Sequence, residues 1–242
     1  MTTILLAGLV VFVTHALEAV TGFGCTVLAL PFITALFGLK EGVMTLTVLA
    51  WLLAIYIALT NRKSIDWKQF SIIAGFVLLG LPVGMYLFGS VEIGYLKKVL
   101  AVFIIVASGI QLLAIAFPGK TSRTLPKPLA YALLLLGGTV HGMFSSGGPF
   151  IVLYASKALP EKGKFRATLC LLWATLNSII IGGYIVNSSI TKETAIRTGA
   201  MLPFLVAGIF AGEFIHKKVA PDIFKILVFS MLFVTGIVML VV

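Results

Sequence analysis

Charge is what this sequence has least of. Only 11% of its 242 residues are Asp, Glu, Lys or Arg, against roughly 25% in an ordinary soluble domain. So few charges cannot cover a water-facing surface, which excludes a soluble globular protein. Acidic residues are scarcest, eight against 18 basic. The two cysteines, Cys25 and Cys170, both lie inside apolar runs, so a disulfide framework is excluded and neither a metal nor a cofactor is expected. A His-Glu-x-x-His pattern is missing too, as are a second acidic cluster and a soluble catalytic segment. That counts against an enzyme. The net charge of +10 does not indicate nucleic acid, because the Lys and Arg stand in short clusters between apolar runs with no interleaved aromatic platform. Basic loops beside membrane helices are explained by topology and by anionic lipid head groups.

What is present is apolar surface, 60% of all residues. It falls in ten stretches: 2–21, 25–38, 43–60, 70–89, 95–117, 128–145, 148–159, 167–186, 194–213 and 222–242. Several approach the ~20 residues that cross a bilayer. Backbone in hydrocarbon has no water to bond to, so these stretches must be helices or pieces of helices. The expected fold is an all-α polytopic membrane protein. The first stretch has neither a basic leader nor a small-residue cleavage pattern and reads as retained.

The chain also matches itself. At an offset of 126, His15 falls on His141, Gly22 on Gly148, Lys40 on Arg166 and Asn61 on Asn187. Two residues further, Gly80, Gly84 and Lys97 fall on Gly208, Gly212 and Lys225. The pattern divides the chain into repeat 1 (1–117), a linker (118–127) and repeat 2 (128–242). Lys and Arg in short loops favour the cytoplasmic side. The clusters at 61–69, 118–127, 157–166 and 214–225 are therefore placed there, with Lys40, Lys97, Lys98, Lys192 and Arg197 outside. Loops that correspond in the two copies then lie on opposite sides, so the repeats are inverted, a plan that puts a transporter's site where the halves meet. Segments 2–38 and 128–159 must each enter and return on one face. They read as helical hairpins, re-entrant or fully spanning, followed by three transmembrane helices per repeat.

Each hairpin is broken, at Gly22-Phe23-Gly24 and at Ser145-Ser146-Gly147-Gly148-Pro149. A helix restarting after such a break presents unpaired N–H groups and the positive end of its dipole, which favour an anion. Thr21 and Ser145 or Ser146 are candidate N-caps, and Pro149 suits the first helical position. Together, Thr21, Gly22, Phe23, Gly24, Ser145, Ser146, Gly147 and Gly148 form the candidate substrate site, with Asn177 facing it one turn after Trp173. Two converging N-termini would hold an anion without a buried lysine. His15 and His141, seven residues before Gly22 and Gly148, are proton-coupling candidates. Glu18 joins them, either hydrogen-bonded to His15 or facing water. Gly80 with Gly84, and Gly208 with Gly212, read as sites of close helix packing.

The two units, each a glycine-rich break with its apolar arm (Gly22-Phe23-Gly24 to Pro31; Ser146-Gly147-Gly148 to Pro160), then a charged loop and a closing Gly-xxx-Gly segment before a Lys-containing helix, resemble the TauE/SafE sulfite exporter family of membrane permeases. Phe23 and Cys25 depart from that family's more usual run of glycines. The resemblance implies a permease of the bacterial or archaeal inner membrane. Its cargo would be a small sulfur-containing anion such as sulfite or an organosulfonate, coupled to protons. A scaffold or accessory subunit without transport, and an intramembrane enzyme, are the competing readings. Membrane lipid is an expected partner, and homodimerisation is left open.

Overall fold

The computed structural model describes residues 2–87, 93–117 and 126–241. Most of the linker, with Lys120 and Arg123, lies outside the described residues. Among the described residues there are ten α-helices: α1 (Thr2–Thr21), α2 (Cys25–Phe37), α3 (Leu39–Thr60), α4 (Trp67–Leu87), α5 (Ile93–Ala116), α6 (Lys127–Phe144), α7 (Gly148–Ala158), α8 (Lys162–Val186), α9 (Lys192–Lys218) and α10 (Pro221–Val241). Each corresponds to one apolar stretch of the sequence. Among the described residues, α1, α3, α4, α8 and α9 are long and apolar enough to cross a membrane. The protein is an all-α, multi-pass membrane protein.

Outward faces carry apolar side chains, including Leu59, Leu79, Phe210 and Phe214, as expected where the solvent is lipid. The interior is built on α3 and α8, which pack against each other. Leu46, Leu49, Leu53 and Ile57 of α3 are fully buried, as are Leu169 and Leu176 of α8. Around this pair, α1 lies along α9 and α6 along α4, while α5 pairs with α10.

Small residues make those pairings close, for want of a hydrophobic force between helices in lipid. A Cβ on Gly208 would sit 2.8 Å from the Phe12 carbonyl oxygen, and one on Gly212 would strike Ala16 and Ala19. Gly80 and Gly84 meet Leu135, Thr139 and Gly142 of α6 in the same way. Both contacts advance in step along the two chains, so α1 runs parallel to α9, and α4 to α6. By contrast, Trp51 bonds Ser178 while Asp66 bonds Thr168, so α3 and α8 run antiparallel. Gly109 meets Phe233 and Gly236 meets Ile105, so α5 and α10 do too.

The ends of the helices sort into two groups. At one end, Asp66 and Ser64 lie against Thr168 and Gly163. There Lys162 donates to the His216 and Val219 carbonyls that close α9, a cation at a helix C-terminus. At the other end, Glu41 accepts from Thr191 and Thr194, and Arg197 donates to the Phe37 carbonyl.

Arg166 does not belong to a solvated loop, as its place in the basic cluster 157–166 suggested. The helix α8 begins at Lys162, and its second turn carries Arg166 inward, 1% exposed, to an ion pair with Glu213 of α9. A buried guanidinium is tolerated because that carboxylate sits beside it.

Candidate functional site

Both hairpin breaks are buried. The first is built from two glycines in the left-handed region, Gly22 (φ 85°) and Gly24 (φ 103°), with Phe23 between them at 1% exposure. Few L side chains adopt such angles. At Gly22 there is also no room, since a Cβ would lie 2.8 Å from the Arg166 Cα. The second break turns on Ser145 (φ 51°), which ends α6. Gly147 there keeps an ordinary right-handed backbone. A Cβ on Gly148 would meet the Phe23 ring at 3.5 Å, so the two tips touch.

The capping differs from the sequence expectation. Gly24 is the N-cap of α2 and Gly147 that of α7, neither with a side-chain cap. Thr21 stands too early to cap, and its hydroxyl donates to the Leu17 and Phe23 carbonyls. The Ser145 hydroxyl is hydrogen-bonded to Thr47, 2.7 Å away on α3. Pro149 sits in the first turn of α7, one residue after its start at Gly148.

Glu18 takes the capping role at the first break. Its Oε2 accepts from the Cys25 N–H at 2.7 Å, which places a carboxyl on the N-terminus of α2, where the dipole favours negative charge. Glu18 therefore neither pairs with His15 nor faces water: the buried carboxyl reaches forward across the break, and His15 uses Nδ1 on the Val11 carbonyl, 2.9 Å away. His15 Nε2 has no partner. His141 contacts Asn177 instead, Nε2 to Oδ1 at 3.0 Å, and leaves Nδ1 without a partner. Its ring stacks on Trp173 at 5.3 Å.

A small cavity, about 20 Å³, lies between the breaks. From the first hairpin, Glu18, Gly24 and Thr26 line it; from the second, His141, Ser145, Ser146 and Gly148. Trp173 and Asn177 of α8 close the wall. Of the candidates read from the sequence, Thr21, Gly22, Phe23, Gly147 and His15 are not among its lining residues and stand behind it.

One polar lining residue, Thr26, escaped the sequence reading. It lies in the first turn of α2. Thr47 and Trp173 sit at matched positions, 126 apart, on α3 and α8. Each reaches across to the tip of the other half, Thr47 to Ser145 and Trp173 Nε1 to the Gly22 carbonyl at 2.8 Å. The other surprise is Arg166, a buried cation against Gly22 where none was expected.

Two broken hairpins whose tips share one cavity repeat, in three dimensions, the duplicated motif of the sequence. The family model described as sulfite exporter TauE/SafE matches residues 6–239. The chain belongs to the TauE/SafE sulfite exporter family. No curated protein and no solved structure matches it. The match spans both hairpins and every long helix, so membership of this exporter family applies to the architecture as a whole.

Proposed function

We propose that the chain is a secondary transporter of a small sulfur-containing anion, sulfite or an organosulfonate, moved with protons by alternating exposure of the cavity between the hairpin tips. One observation carries this reading: two helix N-termini, from hairpins at matched positions of the sequence, open onto the same buried cavity. The first turn of α7 offers backbone N–H groups that no preceding turn can satisfy. Ser145, Ser146, Thr26 and Asn177 add neutral polar groups suited to a tetrahedral or pyramidal oxyanion. His15, Glu18 and His141 are the candidates for proton coupling, with His141 and Glu18 on the cavity itself.

Repeats 1–117 and 128–242 are inverted in this reading, and the linker and basic clusters face the cytoplasm of a bacterial or archaeal cell. The antiparallel course of the matched helices α3 and α8, and of α5 and α10, supports the inversion. So does the grouping of Ser64, Gly163, Lys162 and Val219 at one end of the bundle.

The test is flux. Purified protein in liposomes should move sulfite or a small sulfonate; movement of a cation with no response to any anion overturns the proposal. Sidedness is checked separately by labelling Arg62→Cys and Lys164→Cys in whole cells, where both must react from the same side.

A further inference from the structure

We propose that Glu18 is a tethered anion: it holds the substrate's place on the N-terminus of α2, and gives it up, protonated, when the substrate binds. This rests on the cavity being an anion site. A ligand-like group already occupies half of that site. Glu18 is 3% exposed, lines the cavity, and accepts from the first N–H of α2 at 2.7 Å. An oxyanion arriving from solution needs the same donor. The other half of the cavity is differently furnished, with the start of α7 and His141, whose Nδ1 is without a partner at 2% residue exposure.

Two anions cannot share one small buried cavity without a counter-charge. The groups that face Glu18 supply none: His141 across the cavity is tied through Nε2 to the neutral Asn177 amide. His15 on its own helix is held by Val11; Cys25 donates its backbone N–H to Glu18, and Cys170 lies across from it on α8. On α8 and α9, Arg166 is paired with Glu213, and His216 is bound to the Val20 carbonyl. The charged residues of α3, Lys40 and Glu41, belong to its far end, where Glu41 bonds Thr194. On α10, Lys225 lines a separate cleft with Phe165 and Phe224, and Asp222 stands in that helix's first turn. Neutralisation must therefore come from a proton. The carboxylate takes one from water on the open side, becomes a carboxylic acid and releases the Cys25 N–H to the entering oxyanion; when the anion leaves, the acid loses the proton and returns. The cavity then carries one negative charge both empty and loaded, so the same helix dipoles stabilise both forms, and one proton travels with each monovalent anion.

Calorimetric titration of the full-length protein with methanesulfonate, a monoanion throughout the range, in buffers of differing ionisation enthalpy reads the proton count directly. Wild type should take up about one proton per anion, and its affinity should fall about tenfold per pH unit wherever Glu18 is ionised in the unliganded protein. Glu18→Gln should take up none, show no such slope, and bind more tightly than wild type at the alkaline end. Wild-type binding without proton uptake, or an unchanged slope in Glu18→Gln, overturns the inference and leaves the anion site standing. Failure of wild type to bind methanesulfonate, sulfite or any other small anion at any pH removes the site and the inference together. If Glu18→Gln does not fold, the wild-type proton count decides.

Discussion

The two hairpin tips occupy matched places in the sequence and are built from different parts. The first bends on glycines with positive φ, carries its own carboxyl and leans on a buried arginine. The second bends on a serine, has Phe144 where the first has Glu18, and leans on the hydroxyl of Thr47 where the first receives the indole N–H of Trp173. The second restart also comes earlier in the repeat. Gly148 opens α7, whereas its counterpart Gly22 precedes the start of α2 by three residues. The two tips thus share where the backbone breaks and differ in their chemistry. The charged side of the cavity is the first tip; the second supplies neutral donors and an imidazole.

The comparison can be broken by matched substitutions. The largest contrast is expected beneath the tips. Arg166→Met strands the Glu213 carboxylate and should cost about 3–5 kcal/mol of stability, the usual range for splitting a buried pair. Lys40→Met, at the matched and exposed position, should stay within about 0.5 kcal/mol. Similar unfolding midpoints for these two variants would show that the buried cation is not a feature of the first tip alone.

Next comes the backbone. Gly22→Ala forces a side chain into left-handed φ, about 1–2 kcal/mol, and into the Arg166 backbone, so its melting temperature should drop well below that of Gly148→Ala. The latter meets only the Phe23 ring at ordinary contact distance. A reversed order would mean that the strain lies in the second break.

The smallest expected contrast is in the cross-braces. Trp173→Phe leaves the Gly22 carbonyl without its indole donor, costing about 1–3 kcal/mol if water cannot replace it. Thr47→Val should cost less, near 1 kcal/mol, because Ser145 can rotate its hydroxyl to another acceptor. Flux measurements on both sharpen the point, since the Trp173 variant should lose more transport than folded protein.

Much of the fold was legible because lipid enforces simple rules. The boundaries 2–21 and 25–38 read from apolar runs fall on α1 and α2 within a residue. In hydrocarbon each run must satisfy its own backbone, so local composition decides. Breaks were legible too, because glycines clustered with one another or with proline weaken a helix, although Gly137-Gly138 and Gly182-Gly183 stand unbroken inside α6 and α8. Caps were not. Thr21 and Ser145 have the right chemistry for N-caps, but a cap depends on where the helix restarts, and at the first break that point lay beyond the second glycine. Reading Arg166 as a loop charge failed for a related reason: a cluster of four basic residues says which side of a membrane is near, not which member turns inward.

What the sequence determined by itself is the set of helices, the two interruptions and the shortage of charge that places them in lipid, since each follows from residues within one or two turns of each other. The tertiary structure alone decided that Glu18 meets the amide of Cys25, that Trp173 reaches Gly22, and that Arg166 lies under a glycine with Glu213 for company. Those meetings depend on the rotation and depth of helices packed side by side. Dipoles and hydrogen bonds act over a few ångströms, and no local pattern records which groups will come that close.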